Sequence, residues 1–529
     1  MNSIQTGVDG GILFVGATHS QTAFAGVTVL LLTFLILVAQ RFWSDPLRHI
    51  PGPFLARWTP LWLVYQARMG RRYIAVDQLH HRYGAIVRIA PQHVSVADKS
   101  AIEVVYAHGK DALKKSRFYD AFVFDKTSLF SETDPHNHLR KKRLVSPAFS
   151  TSSLQDFVRI IEGNTSELVM KLDHLSHLNA DIDMLLWFHY FAFDTLSDLA
   201  FGQKIGMLNQ ALFRDLMGYF GSDVVELQTQ TGATVRENAV QLIAQRDHLA
   251  VVLALHPYLP FLSKFIPDPF LSRGRQSSTG LVDFARREVI KRLESNTHRQ
   301  DILERLIAAY GGEDIGAEGV RELISEAVTL LIAGSDTTSN SLAYILHLVL
   351  THPHVHSKLI TTLEAAVQHN DVPTYDSVKN MPYLDAVIDE GLRYHATIAF
   401  GLPRVAKDGG INCYGIHIPE GTEVSIPAYT VQHDPSIWGD PEVFRPDRWE
   451  EDPDLKKYLM VFGKGPRACI GRNLAYMEMR LVLATIILRY DFHLGTEVLE
   501  TVEGLVHKPM ELSLKVGLRK SSELAEKFA

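Results

Sequence analysis

Ten residues near the C-terminus carry the clearest chemistry. Phe462-Gly463-Lys464-Gly465-Pro466-Arg467-Ala468-Cys469-Ile470-Gly471 sets two glycines and a proline ahead of a cysteine, and a strongly apolar stretch, Leu474 to Leu488, follows. Glycine and proline break regular structure, so the cysteine lies in a loop that feeds a helix. At a helix N-terminus, free N–H groups and the dipole lower a thiol pKa and suit the sulfur to ligate a metal as thiolate. The chain has only two cysteines, Cys413 and Cys469. Two can neither staple 529 residues nor form a four-thiolate zinc site, so any special cysteine is one of this pair. The ordinary alternative is a small buried cysteine in a turn.

Three other groupings stand out. Val320 to Leu350 is apolar at both ends, but its centre, Ser335 to Ser341, is entirely polar; propensity alone makes that centre a loop between two helices. A buried carboxylate is costly unless hydrogen-bonded, which marks Asp336 as a functional candidate. Glu390 and Arg393, three apart, share a helix face. His138-Leu-Arg140-Lys141-Lys142-Arg143 opens a basic helix, with His138 and Lys142 on one face at a spacing of four. Arg140 and Lys141 read either as a solvated charge run or as a dock for an acidic redox partner.

Together these motifs resemble the cytochrome P-450 family. The cysteine loop matches its Phe-x-x-Gly-x-Arg-x-Cys-x-Gly signature at every defined position, and Ala333-Gly334-Ser335-Asp336-Thr337-Thr338 resembles its oxygen-binding helix. Glu390 and Arg393 fit the family's Glu-x-x-Arg, and Pro441-Glu-Val-Phe444-Arg-Pro446-Asp-Arg448-Trp449 fits the segment that supplies a second arginine. The resemblance implies haem b with the Cys469 thiolate as axial ligand, Phe462 and Gly463 against the cofactor, and Arg467 on a propionate. His138 and Lys142 stand where the family often has Trp-x-x-x-Arg reaching the propionates; lysine is a point charge rather than a fork. The oxygen-side helix is implied to run through but open locally. Gly334 would make room for dioxygen, Thr337 would hydrogen-bond it or a water beside it, and Asp336 would pass protons inward. Glu390, Arg393 and Arg448 would form a buried structural cluster pinning the cysteine loop.

The implied reaction puts one atom of dioxygen into a C–H bond of a hydrophobic or aromatic small molecule and releases the other as water. No flavin or nucleotide fingerprint is present, so the electrons would come from a separate NADPH–cytochrome P-450 reductase. Within the family, Ile50-Pro-Gly-Pro53, Val87-Arg-Ile-Ala-Pro91, Asp198-Leu-Ala-Phe-Gly202 and Gly401-Leu-Pro-Arg404 look closest to fungal benzoate para-hydroxylases, whose relatives also serve secondary-metabolite pathways. Secondary-metabolite tailoring is the favoured reading. Benzoate detoxification, a haem-dependent isomerase or dehydratase, and a non-catalytic haem sensor are the alternatives. Substrate would face 117–134, 208–265, 396–402 and 504–508.

These groups need a scaffold. From Thr22 to Ala39 the chain is apolar and uncharged, residues 1–21 hold no Lys or Arg, and Arg41, Arg48, Arg57 and Arg68 follow. That pattern reads as one transmembrane anchor in lipid, its N-terminus lumenal and the remainder cytosolic, on the endoplasmic reticulum. The expected organisation is a lumenal 1–21, an anchor 22–40, a stiff proline-rich hinge 41–60, one haem-binding domain 61–520 and a tail 521–529. The domain reads as mainly α with small β-sheets, the cytochrome P-450 fold. Short strands are expected at Ile86–Ala90 and His93–Val96, and Ile411–Ile418 turns back through Glu423–Ile426 at Gly421. Helical periodicity from about Asp120 to Leu402 breaks near Gly274–Gly280 and Gly311–Gly319. A formal charge of −7 with 21% charged residues excludes a basic nucleic-acid-binding chain.

Overall fold

The computed structural model describes residues 19–178, 180–210, 224–228, 234–295, 299–367 and 372–519. The expected segment before residue 19, the tail 521–529 and the middle of the 208–265 stretch lie outside them. The chain divides into two compact units, 1–50 and 51–529. In the first, helix α1 (His19–Trp43) covers the apolar run, and Phe24, Leu30, Leu31, Ile36 and Leu37 are exposed on it. Among the described residues, no helix is long and apolar enough to cross a membrane.

The second unit is helix-rich. Its basic helix α2 (Pro135–Val145) starts where the Asp134 side chain accepts from the Asn137 N–H, with proline in the first turn. Helix α3 (Met184–Phe201) is apolar on every side, as a helix through the middle of a core must be; all of it but Leu186 is buried. Asp183 caps its start, and Gly202 ends it at φ 77°. The unit also contains α4 (Ala239–Ala254), α5 (Pro269–Glu294), the 35-residue α6 (Ala317–Thr351), α7 (Pro382–Tyr394) and α8 (Arg472–Arg489), and α6 is the main packing partner of α3.

Helix α6 corrects the propensity reading. It is continuous through Ser335–Ser341, with no loop between two helices. The polar side chains turn back on their own helix: Ser335, Thr337, Ser339 and Ser341 hydroxyls donate to the carbonyls of Leu331, Ala333, Ser335 and Thr337 at 2.6–2.8 Å. Groups that would compete for the backbone are thereby satisfied inside the helix.

The expected break at Gly274–Gly280 is also absent, since α5 runs straight through. A β-carbon at Gly274 would stand 2.6 Å from Leu249 of α4, so the glycine serves close helix packing. The break at Gly311–Gly319 is present as a turn before α6, with Gly311 at φ 125°.

The main sheet has five strands, in the order Ile86–Ala90, His93–Val96, Glu423–Ser425, Arg404–Val405, Lys114–Lys115. Ile411–Cys413 and Ile416–Ile418 form their own hairpin, turning at Tyr414 and Gly415. Glu423–Ser425 does not return onto them. It pairs parallel to His93–Val96 and antiparallel to Arg404–Val405, a long-range pairing that local turn signals do not encode.

Candidate active site

The loop before α8 is wound by its glycines. Gly463 and Gly465 have φ of 64° and 74°, a region open to glycine and hostile to other residues. A β-carbon at Gly465 would meet the Tyr106 carbonyl oxygen at 2.3 Å. The Cys469 N–H donates to the Phe462 carbonyl at 2.8 Å, closing the loop on itself. Cys469 is exposed only in the sense that it faces an internal cavity of about 310 Å³. Phe462, Gly463, Arg467 and Gly471 line the same cavity. A β-carbon at Gly471 would have nothing nearer than 4.0 Å.

Helix α8 starts at Arg472, three residues past the cysteine. Burial pushes the Cys469 thiol up, and the opposing N–H groups of Gly471 and Arg472 and the Arg472 charge do not offset it. The helix terminus does act in the expected direction, and burial outweighs it. A metal bond deprotonates a coordinating thiol outright, so the dipole need not.

Helix α6 presents Ala333, Gly334, Thr337 and Thr338 to the same cavity. A β-carbon at Gly334 would lie 2.7 Å from Leu196 of α3. The glycine therefore lets two core helices approach, in addition to lining the cavity. Asp336 is turned elsewhere: its Oδ1 is 3.0 Å from His189 Nε2 and 3.9 Å from Lys508 Nζ. The four stretches expected to face substrate all reach the wall, through Phe122 and Phe130, Arg246 and Asp247, Ile398 and Phe400, and Leu505 and Val506.

Four basic side chains, Lys115, Lys142, Arg404 and Arg467, line the cavity together with His138. Lys115 is 7% exposed, and its ammonium donates to the Phe130 carbonyl. Burial first, then the charges of Arg404 and Arg467, hold it well below the usual lysine range, with Glu132 pulling the other way. Burial and the same neighbours drive His138 down to about 3, and burial with Arg404 brings Arg467 down to about 10. Arg467 donates to the Glu132 carbonyl at 2.7 Å, and Lys142 to the Pro466 carbonyl at 3.0 Å. Carbonyls do not neutralise charge, so the cluster suits an anionic group with more than one acidic oxygen.

Arg140 and Lys141 turn the other way. Arg140 makes two bonds to Glu322, at 2.8 and 2.9 Å, and Lys141 is buried between Glu322 and Glu326. Lys141 is therefore neither solvated nor free to dock a partner.

Behind the loop, Glu390 is fully buried and accepts from Arg393 Nε and Nη2 at 3.0 and 2.9 Å, Arg448 Nε at 3.0 Å, Trp449 Nε1 at 3.1 Å and the Arg445 N–H at 3.0 Å. Gln432 links this cluster to the loop. Arg393 donates to its carbonyl at 2.9 Å, and its own Oε1 accepts from the Met460 N–H at 2.8 Å.

The model for the cytochrome P450 family matches residues 50–516. The chain is a cytochrome P450. It is 39% identical to benzoate 4-monooxygenase bphA of Aspergillus niger, over 94% of this chain and 97% of the relative. It is 31% identical to cytochrome P450 monooxygenase ORF9 of Penicillium roqueforti, over 88% and 87%, and 30% identical to cytochrome P450 monooxygenase astD of Aspergillus oryzae, over 94% and 93%. Cytochrome P450 monooxygenases are haem-thiolate enzymes that use dioxygen and a redox-partner reductase. The cavity fits that cofactor: it joins a cysteine sulfur, an open approach at Gly471 and a bank of cations for the carboxylates of the macrocycle's edge.

Sequence reasoning missed several residues of this P450 site. Lys115 lies in no motif, and Arg404 appeared only within a segment of general likeness. Glu478 also lines the cavity, 1% exposed, and burial pushes its carboxyl up to about 8 against a Thr338 hydrogen bond that lowers it. His189 carried no signal beyond being a polar residue in an apolar helix.

Proposed function

We propose that this cytochrome P450 inserts oxygen into a hydrophobic or aromatic small molecule in fungal secondary metabolism, with Cys469 as the axial thiolate. The carrying observation is one cavity lined together by Cys469, Thr337 and a group of basic side chains. Haem bound there supplies the activation of dioxygen with two electrons. Lys115, Arg404 and Arg467, with Lys142 and His138, would hold the propionates. Phe462 and Gly463 would pack against the macrocycle, and Thr337 would orient dioxygen or a water. Glu390, Arg393 and Arg448 keep the loop in place. Electrons come from NADPH–cytochrome P-450 reductase. The apolar, uncharged run at 22–40, followed by arginines, supports a single-pass anchor in the endoplasmic reticulum membrane, with the catalytic unit cytosolic.

One observation favours a second reading, hydroxylation of an aromatic acid. Arg246 is 5% exposed, lines the cavity, and lies 5.2 and 4.4 Å from the ring centroids of Phe122 and Phe124. It is ion-paired with the buried Asp247 carboxylate at 2.6 Å, so a substrate acid would use the N–H groups this pair leaves over. An aromatic carboxylate fits an arginine flanked by phenyl rings. The relative named for benzoate supports it.

The test starts with the reduced protein and carbon monoxide, where a strongly red-shifted Soret band is expected. A library is then screened for the spin-state change that follows loss of the iron-bound water. Tight response to neutral aromatics supports tailoring. Response to benzoates that Arg246→Met abolishes supports the second reading. A protein that takes up no haem sinks both.

A further inference from the structure

His189 lies within α3, 4% exposed, and both its ring nitrogens face acceptors. Nδ1 is 2.9 Å from the Leu185 carbonyl oxygen, and Nε2 is 3.0 Å from Asp336 Oδ1. A carbonyl has no proton to give, so Nδ1 is the donor to Leu185. An ionised carboxylate only accepts as well. Either Nε2 carries a second ring proton or Asp336 carries an acid proton. In both arrangements the two groups hold one proton beyond that of a neutral imidazole, and it lies on the line between Nε2 and Oδ1.

The surroundings decide where it rests. Lys508 approaches Asp336 to 3.9 Å, and Asn340 Nδ2 donates to it at 3.2 Å. Asp247 faces Asp336 from α4, and Asp183 faces His189 from the start of α3. Burial works to raise Asp336, but Lys508, His189 and Asn340 together outweigh it and bring the carboxyl down to about 2. An ionised Asp336 only accepts, so the 3.0 Å hydrogen bond places the shared proton on the Nε2 side. Asp336 directly precedes Thr337, which lines the cavity, so the store lies one residue from the reaction side of α6.

We propose that His189 is a positioning residue that supplies protons to Asp336 for the monooxygenase reaction, a step that rests on the function proposed above. The proton leaves Nε2 for Asp336 Oδ1, giving neutral His189 and a carboxylic acid. Asp336 passes it to a water on the Thr337 side and returns to carboxylate. The pair then regains a proton through Asp336 from the side of Lys508, whose side chain is 18% exposed.

His189→Gln keeps a donor for Asp336 but has no titratable proton. The holoenzyme variant is expected to keep the reduced carbon monoxide band, to lose coupling of NADPH to product by about tenfold or more, and to show an altered H₂O/D₂O ratio on product formation. A second readout needs no turnover. In ¹⁵N-histidine-labelled protein, studied as its diamagnetic reduced carbon monoxide complex, both His189 nitrogens are expected to be protonated at neutral pH. Asp336→Asn should leave one bare. Wild-type coupling and isotope ratio in His189→Gln overturn the proposal, as does an unprotonated His189 nitrogen in the native protein. Should the variant not fold, the nitrogen spectrum of the native protein still decides. Loss of the carbon monoxide band in the native protein would instead count against the monooxygenase reading.

Discussion

Arg448 Nε donates to Glu390 Oε1 at 3.0 Å, joining residues 58 apart in the chain inside a fully buried site. The same carboxylate holds Arg393, and Arg393 leads through Gln432 to Met460 at the entry of the cysteine loop. Removing one member leaves an uncompensated buried charge, which typically costs about 3–5 kcal/mol. Glu390→Gln is expected to destabilise the protein by that amount and to yield haem-poor material. Denaturant unfolding together with haem content per polypeptide checks it.

The two cysteines should behave oppositely. Cys413 is 1% exposed in a small hairpin, away from the cavity, and burial pushes its thiol up to about 11. Cys469→Ser is expected to abolish the red-shifted band of the reduced carbon monoxide complex, and Cys413→Ser to leave it in place.

Thr337 bonds its own helix, to Ala333 at 2.7 Å, while lining the cavity. Alanine is a better helix former, so Thr337→Ala should keep α6 and the haem spectrum. Reducing equivalents should divert to peroxide. Unchanged product yield per NADPH would remove Thr337 from the proton path.

Lys115 is strained by burial among like charges. Lys115→Met is expected to stabilise the haem-free protein and weaken haem retention, two effects of opposite sign. A charge-assisted bond is worth about 1.5–3 kcal/mol, so haem loss to an acceptor such as apomyoglobin should quicken about tenfold or more. Unchanged transfer would exclude Lys115 from propionate binding.

Glu478 sets a pH dependence. Its folded pKa, about 8, lies above the ordinary 4.5. Between these values the unfolded chain has lost a proton that the folded protein keeps, so the unfolded state binds fewer protons and stability falls as pH rises through that window. Glu478→Gln is expected to flatten this loss, which is on the order of a few kcal/mol. Parallel wild-type and variant stability curves across the window would show that Glu478 is not held protonated.

The family and the sulfur ligand were legible along the chain because loop geometry is local. Gly463, Gly465 and Pro466 dictate a bend by their own backbone preferences, and a signature of ten residues records it. The spacing of Glu390 and Arg393 on one helix turn is local too, and so are the strands at Ile86–Ala90 and His93–Val96. The rest depended on which surfaces meet in space. Helix α6 crosses a run of seven polar residues because their hydroxyls bond back to its own carbonyls and α3 packs against Gly334. Glu423–Ser425 joins His93–Val96 across more than 300 residues of sequence, which no turn signal foretells. Asp336 points at His189 rather than into the cavity, and Lys115, Arg404 and Arg467 converge from three separated segments. Electrostatic and packing energies depend on distance in three dimensions, whereas sequence reports only distance along the chain.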